Sequence, residues 1–358
     1  MVMQRHRQAT RGSTEQAGVT LIELMVGMVV AAIVVAAAFT ILTNTSKTLR
    51  ANEQIVDTQQ NVRMAMEWLV RDFKLAGFGN PGVPLGNCTN AIMPGDQTAT
   101  GVDNGPDSVQ VLVPTTRTSG SNRWTLLVPT TTAGTTQITL QSGAVADMVS
   151  SGLVANQSYV SLGGSATAQV TGLNAAGSTI NVAIPPPLWF QQEDQVYLLQ
   201  CIRYQVVLPP DAGNLCGGNA PCLTRGVAGG VGPTAEAPIA EGVEDLQLAY
   251  ACDGCVTAIN SGIPDRIIDD QNGSNSFDQA DFLSNVPWTA SPLRPDKIQL
   301  VQVALVARQS KNDQGFGEGV APVGSSPMTV TSDHTLPADS THRRRVLVKT
   351  VETRNVGL

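Results

Sequence analysis

Two groups of residues in this 358-residue chain are of types that could do chemistry. The first is the six cysteines: Cys88, Cys201, Cys216, Cys222, Cys252 and Cys255, the last two forming the C-x-x-C of "ACDGC". Such a pair becomes a redox site when it opens a helix, whose N-terminus lowers the pKa of the first thiol. Here "VTAINSGIPD" follows, with a Gly-Pro pair of breakers and no helical stripe. A zinc site of Cys216, Cys222, Cys252 and Cys255 has suitable ligand spacing only in its second half. The even count fits structural disulfides in an oxidising compartment. Six cysteines allow fifteen pairings, and spacing alone does not choose among them.

The second group is the Asp- and Asn-rich stretch "DRIIDDQNGSNSFDQAD", residues 265–281. A calcium loop of the EF-hand kind needs oxygen ligands at its first, third, fifth and last positions around a central glycine. With Gly273 at the centre, Asp270 and Asn272 fall on ligand positions, but Ile268 and Gln279 fall on the first and last. An ordinary acidic loop fits better than a calcium site. The three histidines, His6, His334 and His342, leave little for imidazole chemistry. There is no G-x-x-x-x-G-K-[ST], H-E-x-x-H or G-x-S-x-G. The residues thus offer no catalytic set, and no cofactor is expected.

The elements that must position these residues begin with an apolar run. From Leu24 to Leu42 nineteen residues carry no charge. As a helix they extend about 28 Å, enough for a bilayer core of roughly 30 Å. The flank before the run is basic, with Arg5, Arg7 and Arg11, which places the N-terminus in the cytoplasm. Export of the remainder would explain the cysteines. The run is long for a signal peptide cut at "AAAFTIL", and such a cut leaves Glu23, at its start, without a role. A carboxylate in lipid is unfavourable by a few kcal/mol and calls for a partner.

"EQAGVTLIELMVG" resembles the class III leader of type IV pilins and type II secretion pseudopilins. In that family a prepilin peptidase cuts after a glycine, methylates the new N-terminus and leaves the apolar helix attached. The resemblance implies that Gly18 precedes the cut, that Val19 becomes the first residue, and that Glu23 meets a neighbouring subunit's amino terminus inside a fibre. Val19 stands where phenylalanine is more common, and Thr40 where many pilins carry a proline.

Beyond Leu42, Val62, Met66, Leu69, Phe73 and Ala76 lie on one helical face, with Arg63, Glu67 and Arg71 opposite. The spacing predicts a helix ending at "AGFGNPG", where Gly77 takes a left-handed cap and Phe78 folds back on Phe73. A coiled coil would need a longer stripe. The rest reads as short strands and turns: "SVQVLVP" from 108, "RWTLLVP" from 123, "TQITL" from 136 and "QVYLLQCIRYQVVL" from 195. "GVEDLQLAY" from 242, "KIQLVQVALVARQ" from 297 and "HRRRVLVKTVETRN" from 342 are the strands of the C-terminal half, and the Gly-rich stretches 213–220 and 226–233 read as loops. No internal repeat is visible.

"RDFKLAGFGNP", "EGVEDLQLAY" and "RRRVLVKTVETRN" are similar to PilW-type minor pilins, with pseudopilin J of type II secretion as the alternative. The resemblance implies an α+β, type IV pilin-like fold: a long N-terminal helix, transmembrane and then amphipathic, packed on a β-rich, mostly antiparallel globular domain. The expected divisions are a cleaved leader at 1–18, a transmembrane and fibre-core helix at 19–42, an amphipathic helix at 43–76 and a periplasmic domain at 77–358. Residues 83–190 read only as β-rich.

The implied role is that of a structural subunit priming pilus assembly near the tip. Its implied partners are other minor pilins, the major pilin, a tip adhesin, the inner-membrane assembly platform and the prepilin peptidase. A membrane-tethered periplasmic redox protein using the C-x-x-C is the reading from another class. Nucleic acid is not an expected partner. Removing residues 1–18, three arginines against one glutamate, takes the net charge from −7 to −9, a sign that repels phosphate overall. The basic stretch His342–Arg345 reads as a solvated strand edge.

Overall fold

A computed structural model describes residues 18–79, 85, 88–95, 105–115, 124–130, 135–186, 189–210, 214–218, 220–228, 235–256, 262–284, 286–289, 291–309, 328–329, 335–336, 342 and 344–356. The chain divides into two compact units, residues 1–53 and 54–358.

Helix α1 runs Leu21–Leu75. In the first unit its residues are almost all exposed, and this stretch is long and apolar enough to cross a membrane. Lipid supplies no hydrogen-bond partners, so a spanning segment must satisfy its backbone internally, as a helix does. Thr40 fits this demand: its Oγ1 donates 2.9 Å back to the Ala36 carbonyl, and the helix passes through it unbroken.

In the second unit the apolar stripe is buried. Val62, Met66, Leu69, Phe73 and Ala76 all join one core. Each large side chain so buried contributes about 1.5–3 kcal/mol. The helix closes at Gly77, whose φ of +76° suits glycine and whose Cβ, if present, would lie 2.6 Å from the Asn355 carbonyl. Phe78 does not fold back on Phe73: its ring stands edge-on to Tyr197 at 5.3 Å. The cause is backbone pairing, because the Gly77 amide donates to the Leu112 carbonyl and carries the chain toward the sheet.

The strands are β1 Ile92–Gly95, β2 Ser108–Thr115, β3 Gln137–Thr139, β4 Tyr159–Leu162, β5 Ala166–Asn174, β6 Thr179–Val182, β7 Val196–Val207, β8 Cys222–Val227, β9 Ala237–Glu241, β10 Val243–Cys252, β11 Ile298–Arg308, β12 Met328–Thr329, β13 Thr335–Leu336 and β14 Arg344–Glu352. Every pairing between them is antiparallel. Strand β7 is the spine: one edge pairs with β2, while the other pairs with β4 through Val196–Leu199 and with β8 through Ile202–Val207. It thereby joins two cores. One holds α1, β2 and the C-terminal strands; the other holds β3 to β6 with a short helix α2, Ala144–Ser150. The stretch from 124 to 198 therefore has a core of its own. "RWTLLVP" supplies only bridges at Thr125 and Leu126, as its backbone is shared between Gln195 and Leu140.

Gly226 lies within β8 and not in a loop. A Cβ there would sit 2.5 Å from the Glu236 Cα, so glycine is what lets the following strand come close. The three-stranded sheet runs β10-β11-β14. Strand β10 is buried along its whole length, with Asp107 at its outer edge accepting from the Leu248 amide at 2.7 Å. The basic C-terminal stretch is not wholly solvated either. Arg344 is buried opposite Arg308, and Glu244 of β10 forms ion pairs with both. Two cations in register need that carboxylate between them.

Candidate functional site

The N-terminal site is built on the start of α1. Among the described residues no atom lies within 4 Å of a would-be Cβ at Gly18, and Val19 is exposed. Thr20 caps the helix. Its amide and its hydroxyl each donate 2.9 Å to the Glu23 Oε2, and the Glu23 amide donates 3.3 Å to Thr20 Oγ1. This is a reciprocal capping box, three residues apart as such a box requires. Glu23 thus has an intramolecular partner before any neighbour arrives. The sequence shows T-x-x-E at this point, the feature that encodes it.

A second site, which sequence reading missed, lies where α1 meets β7 and β8. Asp72 falls on the buried stripe and is almost wholly enclosed. Its Oδ2 accepts from Tyr204 Oη at 2.6 Å and from Arg225 Nε and Nη2 at 2.9 and 2.8 Å. Arg225 stacks over Trp68 at 4.9 Å, and Arg71 lies over the same ring at 5.4 Å. Burial, and then the Asp72 charge, push the Tyr204 phenol well above its ordinary value, against the pull of Arg225. Burial acts to lower Arg225, but Tyr204 and Asp72 outweigh it and hold the guanidinium in its charged form. The signal for this lock was an aspartate on the apolar face of "RDFKLAGF".

The six cysteines form three disulfides, Cys88–Cys201, Cys216–Cys222 and Cys252–Cys255. Cys88–Cys201 ties the segment before β1 to β7 within a small core of its own. The four-cysteine zinc set is divided between two separate bridges. Atoms of Cys252, Cys255 and Asp269 lie within 4.8 Å of one another, all buried. The sulfurs are bonded to each other, however, and Asp269 Oδ2 accepts from the Cys255 and Val256 amides at 2.5 and 2.9 Å. A disulfide offers no thiolates, so these groups do not fit a metal as they stand.

The acidic loop between β10 and β11 turns its carboxylates on its own backbone. Asp270 accepts from the amides of Asn272, Gly273, Ser274 and Asn275. Desolvation acts to raise this carboxyl, and the four amides outweigh it, holding it below the usual aspartate range. Asp253 and Asp281 accept amides likewise, and Lys297 Nζ donates to the carbonyls of Gly254 and Gly262. Asp270 and Asn272, the two residues that matched a calcium loop, are thus engaged in closing the loop.

An exposed apolar helix start, a helix end clamped on antiparallel strands and a bridged β-rich body define a type IV pilin-like subunit. Residues 14–39 match the family model described as the prokaryotic N-terminal methylation motif. Residues 212–355, from just before β8 to beyond β14, match the model described as type IV pilus-assembly protein W. The two matches together support a PilW-type minor pilin of the type IV pilus. Among solved structures it is similar to a type IV-like pilin from Thermus thermophilus, at 13% identity over 84% of this chain and 98% of that one, with a TM-score of 0.33. The assignment rests on the two family matches. Among curated proteins none matches the chain.

Proposed function

We propose that this minor pilin is a structural subunit, without turnover of its own, that joins other minor pilins in a complex priming pilus assembly and remains near the tip. The observation that carries this reading is the uninterrupted α1, bare and apolar from Leu21, directly after Gly18 and the exposed Val19. Such a helix can lie in the inner membrane and later exchange lipid for the helices of neighbours, since both surroundings are apolar. Prepilin peptidase would cut between Gly18 and Val19 and methylate Val19. Glu23 would then exchange its Thr20 cap for the neighbour's charged terminus. The body would face the periplasm, where the six cysteines are oxidised, and contact the major pilin, a tip adhesin and the assembly platform.

A deletion strain scored side by side for surface pili and for secreted enzymes tests the role. Loss of pili with normal secretion is expected, and restoring the chain restores them. Normal piliation with lost secretion would move the chain to the pseudopilins.

A further inference from the structure

Beside the Asp72 lock, the surface opens into a cleft of about 670 Å³ between α1, the ends of β2 and α2, and strands β8 and β9. Its walls are mixed: Pro114, Val227 and Ile239 are apolar, and Thr115 and Gln200 are polar. Among the described residues the charged ones lining it are Arg71, Arg225 and Asp72. Asp72 is committed to Arg225 and Tyr204 beneath the floor. Arg71 differs. It is exposed on α1, rests on Trp68, and has no carboxylate within 4.0 Å among the described residues. Among the described residues the Arg71 guanidinium thus stands without a carboxylate at the mouth of an amphipathic cleft, in a chain whose overall charge is negative.

We infer that this cleft is a docking socket for a protruding segment of a neighbouring protein subunit, one that carries a carboxylate beside an apolar side chain. The carboxylate meets Arg71, and the apolar side chain lies against Trp68 and Pro114. Tryptophan and arginine are the residues in which binding energy concentrates at protein interfaces. Here the ring is held before the partner arrives: Arg225, fixed by Asp72, lies over Trp68, and Arg71 rests on the same ring, so less ordering is left to oppose binding. The fork of Arg71 suits a carboxylate better than a lysine would. A nucleic acid is disfavoured by the acidic body. The inference rests on the subunit role proposed above, and names the surface and the chemistry of the contact.

The test uses the full chain in piliated cells, with a photoreactive benzophenone amino acid at Ala235, an exposed residue on the rim of the cleft. Cross-linked peptides are identified by mass spectrometry. The expected product joins Ala235 to a segment of another pilus subunit containing Asp or Glu. Arg71→Glu should lower its yield about ten-fold at unchanged membrane level, and a Lys in place of the partner's acidic residue should restore it. Should Arg71→Glu accumulate poorly, Arg71→Gln decides, with a smaller loss expected. Cross-links only within the chain, cross-links to a segment lacking a carboxylate, or a yield indifferent to both substitutions would overturn the socket. Piliation in the deletion strain is scored separately, so the subunit role can stand while the socket fails.

Discussion

Asp72 and Arg225 are 153 positions apart, and their side chains meet at 2.8 Å, with the Tyr204 hydroxyl closing the group at 2.6 Å. The contact fastens the C-terminal part of α1 to strands β7 and β8. A buried carboxylate without its cation is costly, and so is the reverse.

Asp72→Ala should therefore destabilise residues 54–358 by about 3 kcal/mol, the low end for a broken buried pair, since Arg225 keeps some contact with solvent. Denaturant unfolding of the purified protein checks this. The pair Asp72→Ala with Arg225→Met should recover part of the loss, because the stranded guanidinium is gone. If the double variant were no better than the single, the cost would not lie in an unpaired charge.

Tyr204 makes this region alkali-sensitive. Its folded pKa is raised, so above about pH 10 the unfolded chain releases the phenolic proton while the folded chain keeps it. The folded state then binds more protons, and stability must fall as pH rises through that range. Unfolding measured at several alkaline pH values should show a steeper decline for the natural chain than for Tyr204→Phe. Equal slopes would remove the argument.

Processing can be read directly from mass. Protein recovered from membranes is expected to lack residues 1–18 and to carry one added methyl group on Val19. A mature terminus within "AAAFTIL" instead would contradict the pilin-type leader.

The cysteines should be unreactive toward a thiol label in denatured, unreduced protein from the cell. Their bridges should not contribute equally, because the stabilisation grows with the loop closed. Cys88–Cys201 closes a separation of 113 residues and Cys252–Cys255 one of 3. Replacing the first pair with serine should cost on the order of 2–5 kcal/mol and the second distinctly less. Full labelling of all six would show that the bridges do not form in the cell.

Glu23 caps the start of α1 and is proposed to meet a neighbour's terminus, and two substitutions separate these roles. Glu23→Gln can still accept from Thr20 and keep the cap, but carries no charge; Glu23→Ala loses both. Neither should lower the amount in the membrane, where an apolar start inserts at least as well. If the charge sets register with a neighbour, both should reduce co-purification with the other minor pilins and the count of surface pili. A defect confined to Glu23→Ala would assign Glu23 to capping alone.

The parts of this protein that depend on near neighbours in sequence were legible without coordinates. Gly18, Glu23 and the apolar run after them are local patterns, and so is the stripe from Val62 to Ala76, whose period alone predicts a buried helical face. The strands β2, β7, β10, β11 and β14 announce themselves by runs of Val, Ile and Leu between turn residues. What the tertiary structure decided is everything that joins distant positions. Cysteine spacing does not contain the pairing of Cys88 with Cys201, because the bridge depends on β7 lying beside β2. Asp72 is an oddity on its helix until β7 and β8 bring Tyr204 and Arg225 to it, and Arg344 looks solvated until β11 sets it beside Glu244. Helix periodicity is written within a few turns, whereas sheet register and buried charge pairing depend on which strands become neighbours.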